Sequence, residues 1–215
     1  MTNVKRLNYP LFPSLTGYFA GKDLDELKTE IIRKSIHLLI AFTPSMAAIN
    51  RPLTVAFLMI GTLGYTFMEY LRVSGVRVPI FSSITNMASR QRDTGHFVMG
   101  PVTLGMGALL ALLLYPSPVA VIAIYALAFG DGFASLVGKF FGKWRPAFLC
   151  GKSIEGSLAC FAAVLISAYA VSGNLHIAFV AAFTATAVEA LPLKDYDNLA
   201  LPVTVGLAVQ FASLI

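Results

Sequence analysis

Asp131 is the residue whose position most needs a chemical reason. It lies in IYALAFGDGFASLVGKFFGK, about 13 residues into an apolar run over 118–141. A charge at that depth in a bilayer costs about 2.5–3.5 kcal/mol even on the insertion scale, and intramembrane carboxylates are functional by default. Gly130 and Gly132 flank it, so the helix is expected to open there and free backbone groups. Asp131, Ser135, Gly138 and Gly142 recur at i, i+4, i+7 and i+11, a small polar stripe along one helix face. The bland alternative is a packing face with a protonated, hydrogen-bonded aspartate.

Three further groups could do chemistry. In EIIRKSIH, Glu30, Arg33 or Lys34, and His37 share a helix face. A Glu30–Lys34 pair anchored at the membrane edge explains all but His37, which is one turn deeper. VEALPLKDYDNLALP supplies Glu189, Asp195, Asp197 and Asn198, hard oxygen ligands of the type Mg²⁺ takes. The bland reading makes Asp197 or Asn198 a helix cap and leaves Glu189, still inside the apolar run, unexplained. LCGKSIEGSLACF carries Gly151-Lys152-Ser153, the last part of a P-loop. Pro146 stands where the loop's first glycine belongs and no strand precedes it, so it is not a Walker motif. Its local physics survives. Ser153 can cap the next helix, whose first amides and dipole favour an anion, with Lys152 beside them. Gly151 and Gly156 would allow close backbone approach. SRQRDTGHF, with Arg90, Arg92, Asp93 and His96, reads alone as a basic loop. His176 sits beside an expected outer loop and reads as structural.

These groups must be held by membrane elements. The 215 residues are 57% hydrophobic and only 13% charged, with mean hydropathy +0.74, against about a quarter charged in soluble domains. Long apolar runs without alternation select helices. About seven spans are expected, over 35–50, 52–71, 98–115, 118–141, 154–172, 175–193 and 199–215. The first helix should begin earlier, because Asp23 and Glu26 have capping-box spacing. Fifteen of the sixteen basic residues fall on one side of this arrangement, and only Arg51 on the other. The N-terminus is therefore expected in the cytosol and the C-terminus outside. All eleven acidic residues share the cytosolic half. Trp144 and Tyr70 read as inner-edge belt residues and Tyr115 as an outer one. The two cysteines, Cys150 and Cys160, form no disulfide framework or metal spacing. Charge so distributed argues against nucleic acid as a partner. The expected organisation is a polar tail over 1–22 and an integral-membrane domain over 23–215, an all-α polytopic helix bundle.

A phosphate-binding helix start, candidate metal carboxylates and a buried Asp131, all near one membrane surface, describe transfer from a phosphorylated solute to a lipid. At these residues the chain resembles the CTP-dependent lipid-alcohol kinases: dolichol, phytol and farnesol kinases and CTP-dependent diacylglycerol kinases. Three blocks carry the resemblance: E-x-x-RK-x-x-H (Glu30 to His37), GD-x-x-A-S-x-x-G-x-x-x-G leading into K-S-x-E-G-S (Gly130 to Ser157), and E-x-L-P-x…DN-x-x-x-P (Glu189 to Pro202). SRQRDTGHF looks like the family's Arg/Asp-Gly loop. The chain is smaller than dolichol kinases and closer to the compact polyprenol or phytol kinase type.

The resemblance implies CTP as phosphoryl donor, Mg²⁺ or another divalent cation, and a membrane lipid alcohol as acceptor, in a cell membrane with the site facing the cytosol. Asp131, Lys152, Glu155 and His37 would be catalytic. Arg33, Lys34, Arg92, Ser135, Gly151, Ser153 and Gly156 would hold the nucleotide. Asp131, Glu189, Asp197 and Asn198 would hold the metal. A homodimer is left open. The rivals are a proton-coupled transporter using Asp131 and Glu189, another CTP-using lipid enzyme such as a cytidylyltransferase, and a non-catalytic scaffold. A transporter predicts polar groups reaching both faces or two similar halves, and neither is visible. No aspartate follows Asp131 until Asp195, which argues against CDP-alcohol phosphotransferases. The C-terminal block typical of CDP-diacylglycerol synthases is absent as well.

Overall fold

Alanine and glycine recur wherever these helices must meet, and in lipid close backbone approach drives helix association. Ala108, Ala111, Ala123, Ala126, Ala128, Ala178, Ala181, Ala182 and Ala185 are all fully buried. The computed structural model describes residues 24–76, 85 and 95–214, the side chains of 24–26 and 148 apart. The expected tail over 1–22, Asp23, the side chain of its capping partner Glu26, and Arg90, Arg92 and Asp93 lie outside what is described.

The described elements are helical throughout: α1 (Leu24–Leu38), α2 (Thr43–Val73), α3 (Gly100–Leu114), α4 (Val119–Tyr125), α5 (Gly132–Phe140), α6 (Ile154–Ser172), α7 (Leu175–Glu189) and α8 (Asp197–Ala212). Short 3₁₀ turns occupy Leu39–Phe42, Ala147–Leu149 and Lys194–Tyr196. A π-turn over Ala126–Asp131 joins α4 to α5. α6 packs along α7, α7 along α8 and α5 on α6; α3 bridges α2 and α8, and α1 lies on α5.

Among the described residues, three stretches are long and apolar enough to cross a membrane: Leu27–Val73, Val119–Phe140 and Ile154–Ser172. Gly100–Leu114 and Leu175–Glu189 are shorter apolar helices. α2 turns large apolar side chains outward, with Ile49 89% and Ile60 68% exposed, a surface suited to lipid. The backbone leaves the helical region at Asn50, whose Oδ1 accepts the Leu53 amide at 3.0 Å. Asn50 thus caps the helix that continues through Arg51, and Pro52 sits where no amide is needed. This break falls between the runs expected over 35–50 and 52–71.

At that end of the bundle, Arg51 donates to the carbonyls of Leu112 and Tyr115, where α3 finishes. Tyr115 is not an interfacial belt residue. It is buried, its hydroxyl donates to the Val203 carbonyl at 2.6 Å, and its ring packs where Gly206 leaves room on α8. Trp144 and Tyr70 are exposed, 67% and 62%.

Candidate active site

The helix opens where Gly130 and Gly132 suggested. The π-turn over Ala126–Asp131 widens the backbone, and such turns are frequent at functional sites. The Leu127 carbonyl inside it accepts a hydrogen bond from His37 Nε2 at 2.9 Å. A carbonyl can only accept, so Nε2 carries the proton. The same nitrogen is 3.4 Å from Asp131 Oδ2. Lys34 Nζ donates to that oxygen, and Ser135 Oγ lies 3.4 Å from Oδ1. Asp131, Lys34 and His37 are all buried. A buried carboxylate is tolerable when matched by a charge and further hydrogen bonds, and α1 supplies both across the α1–α5 contact. Lys34 therefore pairs with Asp131 and not with Glu30. Glu30, also buried, takes Arg33 and, at 2.8 Å, Lys139 of α5.

The second half of the site hangs on the α5–α6 seam. A Cβ on Gly156 would lie 2.7 Å from the Ala134 carbonyl, and one on Gly138 would lie 3.1 Å from Ser153 Oγ. Only glycine lets the two backbones approach this closely. Ser153 caps α6 as expected, its Oγ accepting the Gly156 amide at 3.1 Å. Lys152, just before the cap, reaches Glu189 at the end of α7, Nζ to Oε1 3.0 Å. Ser157 Oγ is 3.5 Å from the other oxygen of Glu189.

One cleft of about 200 Å³ joins the two halves, with Asp131, Ser135, Lys152, Ser153, Glu189 and Asp197 on its walls. Glu30, Arg33, Lys139, Gly151, Gly156, Arg145, Lys194 and Asp195 complete the lining. Sites for drug-sized ligands run from about 300 to 1,000 Å³, so this volume suits a phosphate group better than a whole nucleotide.

Several expected site residues stand elsewhere. The Glu155 carboxylate turns away from the cleft and accepts the amides of Lys143 and Trp144 at 3.0 and 3.2 Å, which fixes the loop before α6. The start of α6 is less open than expected: the Ile154 amide already donates to the Trp144 carbonyl at 3.0 Å and the Gly156 amide to Ser153. An anion there would meet Lys152 and the helix dipole more than free amides. Asn198 does not cap α8, which begins at Asp197, and it does not line the cleft. It is buried and donates to Thr103 Oγ1 at 3.0 Å, tying α8 to α3. His37 reaches the cleft only through Asp131. Arg145, Lys139, Lys194 and Ser157 were not singled out by the sequence; each basic one already had a sufficient explanation as a loop cation.

Among the described residues no three His, Cys, Asp or Glu side chains gather as a metal cage. Glu189, Asp195 and Asp197 each line the cleft, and a hard cation of the Mg²⁺ type needs only one or two carboxylates, completing its shell with water and phosphate oxygens.

Comparison with known proteins agrees with the motifs. The chain is 27% identical over 138 residues to a probable chloroplastic phytol kinase of Triticum aestivum, covering 56% of this chain and 46% of that one. It is 30% identical over 137 residues to a chloroplastic farnesol kinase of Arabidopsis thaliana, covering 56% and 45%. A CTP-dependent diacylglycerol kinase 1 of Eremothecium gossypii is 27% identical over 145 residues, covering 65% and 45%. The chain thus matches about half the length of these curated relatives. No family model matches it, and no solved structure does. By sequence this chain is similar to kinases named for phytol, farnesol and diacylglycerol.

Proposed function

We propose that the chain is a CTP-dependent kinase that phosphorylates the hydroxyl of a membrane lipid alcohol: a polyprenol, a phytol- or farnesol-like prenol, or a diacylglycerol. The observation that carries this is the shared cleft. It sets a buried carboxylate, Asp131, and a partly exposed ammonium, Lys152, on the walls of one small polar cavity among apolar helices. The kinases among its relatives supply the substrate classes.

In the proposed reaction the alcohol oxygen forms a bond to the γ-phosphorus of CTP. The bond from that phosphorus to its β-bridging oxygen breaks, and CDP leaves. The hydroxyl proton passes to Asp131, which exchanges Lys34 for the alcohol. Phosphoryl transfer is mainly positioning and charge neutralisation. Lys152 meets the phosphates, and Arg33 and Lys139 hold Glu30 so that the rim stays cationic. Magnesium bound with the phosphates would neutralise their charge; Asp197, Glu189 and Asp195 are the side chains that would hold it.

The same proposal puts seven spans in a cell membrane, with the N-terminus and the cleft facing the cytosol, where CTP is found. Transfer of labelled γ-phosphate from CTP to phytol, farnesol, a polyprenol and diacylglycerol by the purified chain tests the activity. No transfer to any alcohol from any nucleoside triphosphate would end the reading. Cysteines introduced as Ser117→Cys or Ser172→Cys should react with an impermeant thiol reagent in intact cells, and Cys150 only after the membrane is opened. Labelling of Cys150 from outside would reverse the orientation.

A further inference from the structure

Arg145 lines the cleft, yet among the described residues it pairs with no carboxylate. Its guanidinium is committed to two backbone carbonyls instead. Nη2 donates to Gly138 at 2.7 Å and Nη1 to Gly151 at 2.5 Å. Gly138 lies in the last turn of α5, whose carbonyls lack in-helix partners and favour a cation. Gly151 belongs to an unusual turn. Cys150 has φ 49° and Gly151 has φ 91°, two successive left-handed residues of which one is not glycine. L-residues avoid that region, and such outliers persist only where surrounding contacts hold them. Within the loop the turn has two backbone bonds, Cys150 to Ala147 at 3.2 Å and Lys152 to Leu149 at 2.9 Å. The bonds from Arg145 tie it to the end of α5.

Immediately after this turn comes the stretch of chain that meets phosphate. Lys152 reaches Glu189, and Ser153 caps α6. We infer that Arg145 is a positioning residue: it braces the Cys150–Gly151 turn against the end of α5 and so sets where Lys152 stands in the cleft. A guanidinium can do this because its planar fork presents two separate nitrogens to two acceptors; a lysine ammonium has its donors on one compact, strongly hydrated nitrogen and does not reproduce that fork.

Only the nucleotide half of the test rests on the kinase reading. The other half uses Cys150, which is exposed, as a reporter of the turn; Cys160 is buried and stays silent. In the purified full chain, alkylation of Cys150 by a water-soluble maleimide should be roughly tenfold faster in Arg145→Ala, the size set by losing charge-assisted hydrogen bonds. Arg145→Lys, which keeps bulk and charge, should behave like Arg145→Ala and not like the native chain; it decides the matter if the alanine variant does not fold. In both variants the apparent KM for CTP should rise roughly tenfold while that for the alcohol stays within about twofold, with little loss of kcat. Native alkylation rates in both variants overturn the brace. A KM that rises equally for both substrates, or for neither, overturns the positioning of Lys152. If the native chain transfers nothing from CTP, the kinase reading fails, and the Cys150 rates still decide whether the brace exists.

Discussion

Arg51 and Arg145 make the same kind of contact at opposite ends of the bundle. Each donates to two backbone carbonyls, Arg51 to Leu112 and Tyr115, Arg145 to Gly138 and Gly151. At the Arg51 end both of the arginine's partners are backbone carbonyls, and no carboxylate is found there among the described residues. At the Arg145 end, carboxylates and cations from α1, the π-turn, α5, the loop before α6 and the end of α7 face one another across a cleft. Backbone partners make a closed joint. Side-chain ion pairs between helices can be exchanged, and a phosphate can take the place of Glu189 against Lys152. One arginine finishes a fold, and the other sits beside groups that must let go of each other.

The sharpest way to break this contrast is Asp131→Asn. It keeps size but removes the charge and the proton acceptor, so transfer should fall by about 10²–10⁴-fold, the range for general-base catalysis, with helix content retained. Near-native turnover by the folded variant would leave Asp131 a packing residue. Next in size, Lys152→Ala should raise the apparent KM for CTP roughly tenfold with little change for the alcohol. It also strands Glu189, so the Lys152→Ala/Glu189→Gln pair should recover thermal stability without recovering nucleotide affinity. Recovery of both would make the ion pair structural. Gly156→Val forces side-chain atoms against the Ala134 carbonyl and should destabilise the chain by about 1–3 kcal/mol. An unchanged melting curve would show that the α5–α6 seam can relax. The smallest effect belongs to the other end. Arg51→Met should lower the melting temperature by a few degrees, at roughly 2–4 °C per kcal/mol, and leave transfer unchanged. Loss of transfer there would erase the distinction between the two ends.

Much of this was legible in the sequence where a residue conflicted with its surroundings. Asp131 in an apolar run, flanked by glycines, announced both the buried carboxylate and the opened turn. Ser153 before an apolar helix announced its cap, and Asn50-Arg51-Pro52 fell where the helix breaks. The partners were not legible. Lys34 and Asp131 are 97 residues apart, and no local spacing reports such a contact; spacing alone favoured Glu30 for Lys34. Arg145 and Lys139 were hidden for a different reason: in a loop already rich in lysine and arginine, orientation in the membrane explains each cation and leaves none conspicuous. Glu155 and Asn198 misled in the opposite direction. Both lie in blocks that read as functional, yet one carboxylate folds back on its own loop and the amide clasps α3. Tyr115 looked like an anchor because it ends an apolar run, and the matching gap at Gly206 lies far along the chain.

The π-turn also acts as a phase shifter. An α-helix advances about 100° per residue, and a turn widened by one residue offsets everything after it by roughly that angle. α4 packs against α8, α3 and α6, while α5, continuing the same rod, packs against α6 and α1. Both halves keep α6 as a neighbour, while the offset lets α5 meet α1 where α4 meets α8. The feature is therefore vulnerable to a change in length more than to a change in chemistry. Deleting a single residue such as Ala128 would leave every functional side chain in the sequence, but would rotate α5 relative to α4 and carry Asp131 away from Lys34.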